Sequence, residues 1–448
     1  MILHLLIASS LIVVFKAGIG FSETEQNKSH LKSFLIQNAN PQKKLDMLIK
    51  KYHLDDEKTG YAIETLEEIK SRLGGIRAYI LTKNKCVYLV PTLDMFMTHI
   101  GYKINVARNS TQGVASLLSP NGLKGQILKS NQLFSVDSIK DSRGITRNAD
   151  KLREKIFYLI DHEEGKSKPQ AQIIKRIDCT DYSIDKIALT GKGRSALAGY
   201  LMIPKNISFP APAILALHQH SGEYYVGAAG IVGLAECYPT IAYGPTLARR
   251  GYIVFAVDAR GFGSNIMEDE SVEDYLSRWL GKSLFAMIID DDLTALDYLV
   301  KRKEVDPRRI GAIGHSMGGA RVTYLAAIDK RIRAAVISGY LTSYKEMIKR
   351  DIVYQSPSTW LPGILSYADC KDVLSLIAPR PLLTVHGKGD DVFPFEEALK
   401  VYDSIKRIYG LFKAGDKLQS VFFDGSHDLP AEALEEACNF FDKWLKKR

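Results

Sequence analysis

From residue 211 onward the chain settles into short, unbroken apolar runs separated by longer amphipathic stretches. The runs occupy residues 213–217, 253–257, 310–313, 334–337, 382–385 and 421–423. Each is too short for a helix, and none alternates, so each predicts a strand buried on both faces. Residues 290–301, 321–327 and 433–446 carry helical spacing instead. Buried strands alternating with helices predict an α/β fold with a mostly parallel sheet covered on each side. Just upstream, residues 182–189 and 197–203 alternate apolar and polar about Thr190-Gly191-Lys192-Gly193-Arg194, the pattern of an antiparallel hairpin.

The N-terminal third reads differently. Residues 45–49 and 63–73 show helical spacing, with Gly74-Gly75 ending the second helix. Residues 76–81 and 86–90 read as strands about the polar turn Lys83-Asn84-Lys85. Residues 148–162 predict a helix, and the polar stretch 163–169 a linker. The expected organisation is therefore an additional N-terminal α+β region of unknown role over residues 23–170 and a catalytic domain over 171–448. Ahead of both, residues 2–15 are almost wholly apolar, followed by Lys16 and the small-residue run 17–22. A mostly apolar stretch of fourteen residues is short for a bilayer span, and small residues follow where a signal peptidase cuts. Residues 1–22 are thus expected to be a signal peptide cleaved after Ser22, leaving an exported protein, periplasmic or secreted, with no stable membrane span.

Composition changes this picture little. Apolar content of 46% and charged content of 25% are those of an ordinary globular protein. The formal net charge of +9 sits mostly on isolated lysines and arginines between residues 23 and 168. Without a tight basic cluster or interleaved aromatics it argues against a nucleic-acid partner. The five cysteines, Cys86, Cys179, Cys237, Cys370 and Cys438, are far apart and lack metal-ligand spacing.

The chemistry lies where the parallel strands end. Gly314-His315-Ser316-Met317-Gly318 fits G-x-S-x-G, and it falls between an apolar run and a helical pattern. That context is the strand–turn–helix in which such a serine is lifted clear of a sheet. The chain passes so close that a Cβ at Gly314 or Gly318 would collide. A serine hydroxyl needs a base to take its proton, and the base needs a carboxylate to orient it. His427, in the turn after the last apolar run, is the expected base. Asp390, in the glycine-rich loop after residues 382–385, is preferred over Asp391 as the acid. His386 precedes the acid and is expected to pack or bond locally, and His315 to point away from Ser316. Asp424 and Asp428 are expected as turn residues. The oxyanion needs two N–H donors: Met317 supplies one, and His220 or Gln219, in "LHQHSGEYY", the other, with His220 preferred. His218 and His220 form an H-x-H pair, but no third ligand accompanies them, so no metal and no cofactor is expected. Tyr224 and Tyr225 either line the cleft or pack in the core. Residues 338–361, rich in Tyr and Lys, are expected to form part of a cap.

With "PAILALHQHSGEYY", "GYIVFAVDARGFGSN", "VDPRRIGAIGHSMGGARVTYLAAID", "LPGILSYADCKDVLSLIAPRPLLTVHGKGDDVFP" and "DGSHDLP" on the page, the last 270 or so residues resemble the α/β-hydrolase superfamily. Within it they resemble the dienelactone hydrolase-like and acetyl xylan esterase-like bacterial enzymes. The resemblance implies Ser316 as nucleophile, Asp390 as acid and His427 as base. Dienelactone hydrolases proper carry cysteine where this chain has Ser316. The expected activity is that of a serine carboxylic-ester hydrolase working through an acyl-enzyme, on a small-molecule or carbohydrate ester such as a short-acyl or acetylated sugar. The alternatives are a serine peptidase of the prolyl-oligopeptidase type and a catalytically silent binding protein on the same scaffold.

Overall fold

The structure is a computed structural model. It describes residues 127–446 apart from 129, 131, 163–168, 191–196, 221, 223, 236–241, 267, 269 and 351–355, together with five strands nearer the N-terminus. The chain divides after Ser116 into two compact units.

In the first unit, strands β1 (Val13–Lys16), β2 (Leu35–Gln37), β3 (Ile63–Ser71), β4 (Arg77–Lys83) and β5 (Cys86–Val90) form an antiparallel sheet of order β1-β5-β4-β3-β2. β4 and β5 are the two strands expected there. β1 lies inside the stretch read as an export signal and, in the uncut chain, pairs with β5 from Val13↔Leu89 to Lys16↔Cys86. The helix expected at 63–73 is instead β3, laddered to β4 from Ile63↔Lys83 to Lys70↔Arg77. Ile63, Leu66 and Ile69 do recur at threes, but β-branched Ile63, Thr65 and Ile69 suit a strand. A neighbouring strand then decides between two short-range patterns. The helix expected at 45–49 lies outside the described residues.

The second unit is built on a nine-stranded sheet. Its strands are β6 (Gln170–Asp178), β7 (Tyr182–Thr190), β8 (Leu197–Pro204), β9 (Ala211–Leu217), β10 (Ile253–Val257), β11 (Val305–His315), β12 (Ile332–Ser338), β13 (Leu382–Gly387) and β14 (Leu418–Phe423), in the order β14-β13-β12-β11-β9-β10-β8-β7-β6. β9 to β14 run parallel, and β6 to β8 close the edge antiparallel. All six apolar runs and the hairpin fall on these strands. Alternate residues feed two cores. Leu215, Phe255 and Ala312 face one, with the helices Ser142–Ile160, Leu284–Val300 and Phe395–Leu411. Ile214, Val254 and Ile313 face the other, with the helices Tyr243–Arg249 and Ala431–Phe441.

Two differences from expectation concern the region before residue 170. The helix begins earlier, at Ser142, where the Asp141 side chain caps it by accepting from the Gly144 N–H. It also belongs to the sheet-bearing unit, burying Ile145, Leu152, Ile156 and Ile160 in that unit's core. β6 has no signal in the local pattern, because its residues are exposed almost throughout and show no alternation. Its place is set by pairing to β7 at the sheet edge. Among the described residues, no helix is long and apolar enough to cross a membrane.

Candidate active site

Three loops at the carboxyl ends of β11, β13 and β14 bring Ser316, Asp390 and His427 together. Ser316 sits between β11 and the helix Met317–Ile328 with φ 55° and ψ −119°, a conformation a non-glycine residue adopts only under constraint. The constraint is visible in the backbone. The Ser316 N–H donates to the Ser338 carbonyl at 2.9 Å, and the Ser316 carbonyl accepts from the Ala320 N–H at 2.9 Å. A Cβ on Gly314 would lie 2.2 Å from the Gly318 carbonyl oxygen, and one on Gly318 would lie 2.0 Å from that of Leu217. The glycines are therefore required by chain approach.

His427 Nε2 lies 2.8 Å from Ser316 Oγ, and its Nδ1 lies 2.8 Å from Asp390 Oδ2. The other Asp390 oxygen accepts the N–H groups of Val392 and Phe393 at 2.9 and 2.8 Å. Burial works to raise the Asp390 carboxyl. The hydrogen bond and charge of His427, with the Phe393 N–H, outweigh it and hold Asp390 below the usual carboxylate range. A carboxylate accepting from Nδ1–H leaves the Nε2 lone pair for the serine hydroxyl proton. Asp391 is exposed. Asp424 pairs with Lys388 at 2.7 Å, and Asp428 accepts the Leu429 N–H at 2.7 Å, both as turn residues.

Among the described residues, His386, His315, His218 and His220 each make hydrogen bonds of their own. His386 Nε2 bonds the Phe393 carbonyl at 2.7 Å, bracing the loop that carries Asp390. His315 does more than point away. Its Nδ1 bonds Ser338 Oγ at 2.9 Å, and its ring centroid lies 4.8 Å from that of His427. Burial, then the neighbouring His427, push its pKa down to about 3, so it supports the ring beside it as a neutral group. The H-x-H pair does not converge on a common point. His218 Nδ1–H donates to the Gln219 carbonyl at 2.9 Å while Nε2 accepts the Ala259 N–H at 3.0 Å. His220 Nε2 bonds Glu270 Oε2 at 2.8 Å while Nδ1 accepts the Gly222 N–H at 3.1 Å. No group of three or more potential metal ligands occurs among the described residues.

Glu270 escaped the sequence reading. It opens the helix Glu270–Trp279 and is 3% exposed, yet it is charged-residue chemistry in a wall of aromatics. Besides His220, its carboxylate accepts the hydroxyls of Ser356 and Ser358, and Ser358 Oγ lies 3.1 Å from Met317 Sδ. Burial opposes its ionisation, but the bonds from His220, Ser356 and Ser358 keep its pKa lowered. Tyr224, Phe262 and Met317 pack together beside it, whereas Tyr225 is exposed. Within residues 338–361, expected as a cap, Tyr340 Oη bonds both Tyr344 Oη and the Thr359 carbonyl, joining the two ends of the segment. The sequence signal for Glu270 is weak, a lone acidic residue at a helix start, where helix polarity favours one anyway.

Residues 243–448 match the prolyl oligopeptidase family model. Two solved structures share the fold. Methylesterase BT1017 aligns with TM-score 0.57 and 22% identity, over 68% of this chain and 65% of its own. A candidate acetyl xylan esterase from Bacteroides fragilis aligns with TM-score 0.58 and 19% identity, over 72% and 84%. The chain has the α/β-hydrolase fold. The chain is also 29% identical over 294 residues to the Bacillus subtilis protein YtaP, a candidate hydrolase, covering 65% of this chain and 98% of the relative.

Proposed function

We propose that the protein is a serine carboxylic-ester hydrolase. One observation carries the reading: an unbroken hydrogen-bonded path from Ser316 Oγ through the His427 ring to a buried Asp390. In the first half-reaction Ser316 Oγ bonds to the ester carbonyl carbon while His427 Nε2 takes the hydroxyl proton. Asp390 holds the ring in the Nδ1–H tautomer and stabilises the imidazolium. The carbonyl oxygen, now an anion, is received by the N–H groups of Met317, at the start of its helix, and of His220. Collapse breaks the carbon–oxygen bond, and His427 returns the proton to the departing alcohol. Water, activated by His427, then cleaves the acyl-enzyme to acid and free serine. No metal or organic cofactor enters these steps.

Preference for an ester, and for a short-acyl or acetylated carbohydrate, is supported by esterases of the same fold. Exposed Tyr225 and Trp360, on the loops that also carry His220 and Ser358, offer flat faces to a sugar ring. The apolar opening segment with its small-residue run supports an exported enzyme. The prolyl oligopeptidase match favours a second reading, a serine peptidase with the same three residues.

A fluorophosphonate probe should label the wild-type protein, and Ser316→Ala should lose both labelling and ester turnover, with kcat falling on the order of 10⁶-fold. Labelling that survives Ser316→Ala overturns the assignment. Short-chain p-nitrophenyl esters set against a proline-containing anilide separate the two readings, and preferential amide cleavage selects the peptidase.

A further inference from the structure

The geometry points to Glu270 as a positioning residue that sets both N–H donors for the oxyanion, an inference that rests on the esterase reading above. Its carboxylate reaches two otherwise separate parts of the site. On one side it holds His220 through Nε2 at 2.8 Å. On the other it holds Ser358, whose hydroxyl touches the side chain of Met317, the residue after Ser316.

The first arm acts on the loop after β9. With Nε2 on Glu270 and Nδ1 on the Gly222 N–H, the His220 ring has no free nitrogen with which to act on a substrate. What the two bonds do is immobilise the residue. The peptide before it is fixed from the other end, because the Gln219 carbonyl is held by His218. In a trans peptide the carbonyl and the following N–H point in opposite directions. The His220 N–H is therefore turned away from His218, and it donates to no acceptor among the described residues. The second arm acts on the helix start. Met317 is fully buried among Ala259, Phe262, Leu284 and Ile288, so its side chain anchors the turn that carries its own N–H. Ser358 closes that packing from the Glu270 side.

A buried carboxylate is costly unless its hydrogen bonds are filled, and here His220, Ser356 and Ser358 fill them, with a long fourth bond of 3.5 Å from Tyr224 Oη. A hydroxyl or amide would satisfy a merely structural joint at lower cost. The anion also draws its donors into shorter, stiffer bonds than a neutral acceptor would. Stiffness matters for oxyanion donors, whose contribution depends on being in place before charge develops.

Glu270→Gln preserves shape while removing the charge. On p-nitrophenyl acetate we expect kcat to fall on the order of 10²-fold with KM close to wild type. A trifluoromethyl ketone, which forms an oxyanion on Ser316, should lose affinity by the same factor as kcat/KM. The fluorophosphonate should still titrate one serine per chain. Ser358→Ala, which cuts only the arm to Met317, should show a smaller loss of the same kind and keeps the test open if the Gln variant fails to fold. Wild-type kcat in both variants overturns the inference while leaving the esterase reading intact. So does a loss confined to KM, or one explained entirely by a smaller titratable fraction. Absence of Ser316-dependent turnover in the wild-type protein removes the esterase reading and this inference together.

Discussion

Asp390 and Asp391 are adjacent, chemically identical and differently placed. Asp390 is buried, with one oxygen on two loop N–H groups and the other on His427, while Asp391 faces solvent. The loop bonds make the carboxylate part of the turn, so it cannot swing away from the imidazole. Asp390→Asn should present an amide that no longer selects the Nδ1–H tautomer, lowering kcat about 10⁴-fold with KM little changed. Asp391→Asn should behave as wild type in the same steady-state assay. Equal losses in the two variants would place the acid elsewhere.

At the scale of elements, the helix Ser142–Ile160 shows how packing extends the sheet-bearing unit. Its buried positions 145, 149, 152, 156 and 160 recur at helical spacing and meet the core beneath the sheet. Arg153 adds bonds to the carbonyls of Ala327 and Leu376, at the ends of two neighbouring helical segments. Ile156→Ala removes a fully buried side chain from this contact. Urea unfolding should show a loss of about 2–5 kcal/mol, while kcat for an ester at low denaturant stays at the wild-type value. A loss below the range would mean that the helix docks loosely and that the domain begins nearer β6.

Across the whole molecule, buried titratable groups pull stability in opposite directions with pH. His315 has its pKa pushed down to about 3, chiefly by burial. The unfolded chain protonates the same ring near the ordinary value of about 6.5. Its contribution is thus complete above about 6.5 and is lost as pH falls toward 3. Asp372 is raised to about 7, chiefly by burial. Its contribution is present below the ordinary carboxylate range and is lost as pH rises through about 7. His315→Gln removes the first dependence alone, so its melting temperature relative to wild type should rise as pH drops from 7 to 4. A difference that stays constant over that range would mean that His315 titrates in the folded protein as it does in the unfolded chain.

Much of this architecture is decided locally. Strands buried on both faces must be continuously apolar, and so β9 to β14 can be read directly from the chain. The Ser316 turn is legible because its steric demand is met only by glycine two residues before and two after. The order of Ser316, Asp390 and His427 at the ends of β11, β13 and β14 makes them candidates together. Other features lie beyond local pattern. β3 and β6 are strands because a neighbour offers a ladder, and β6 carries no apolar stripe of its own. Glu270 meets His220, fifty positions earlier, and Ser356 and Ser358, nearly ninety later, only after the sheet has formed. A buried carboxylate's role is defined by the donors brought to it, and those donors are assembled by tertiary contact.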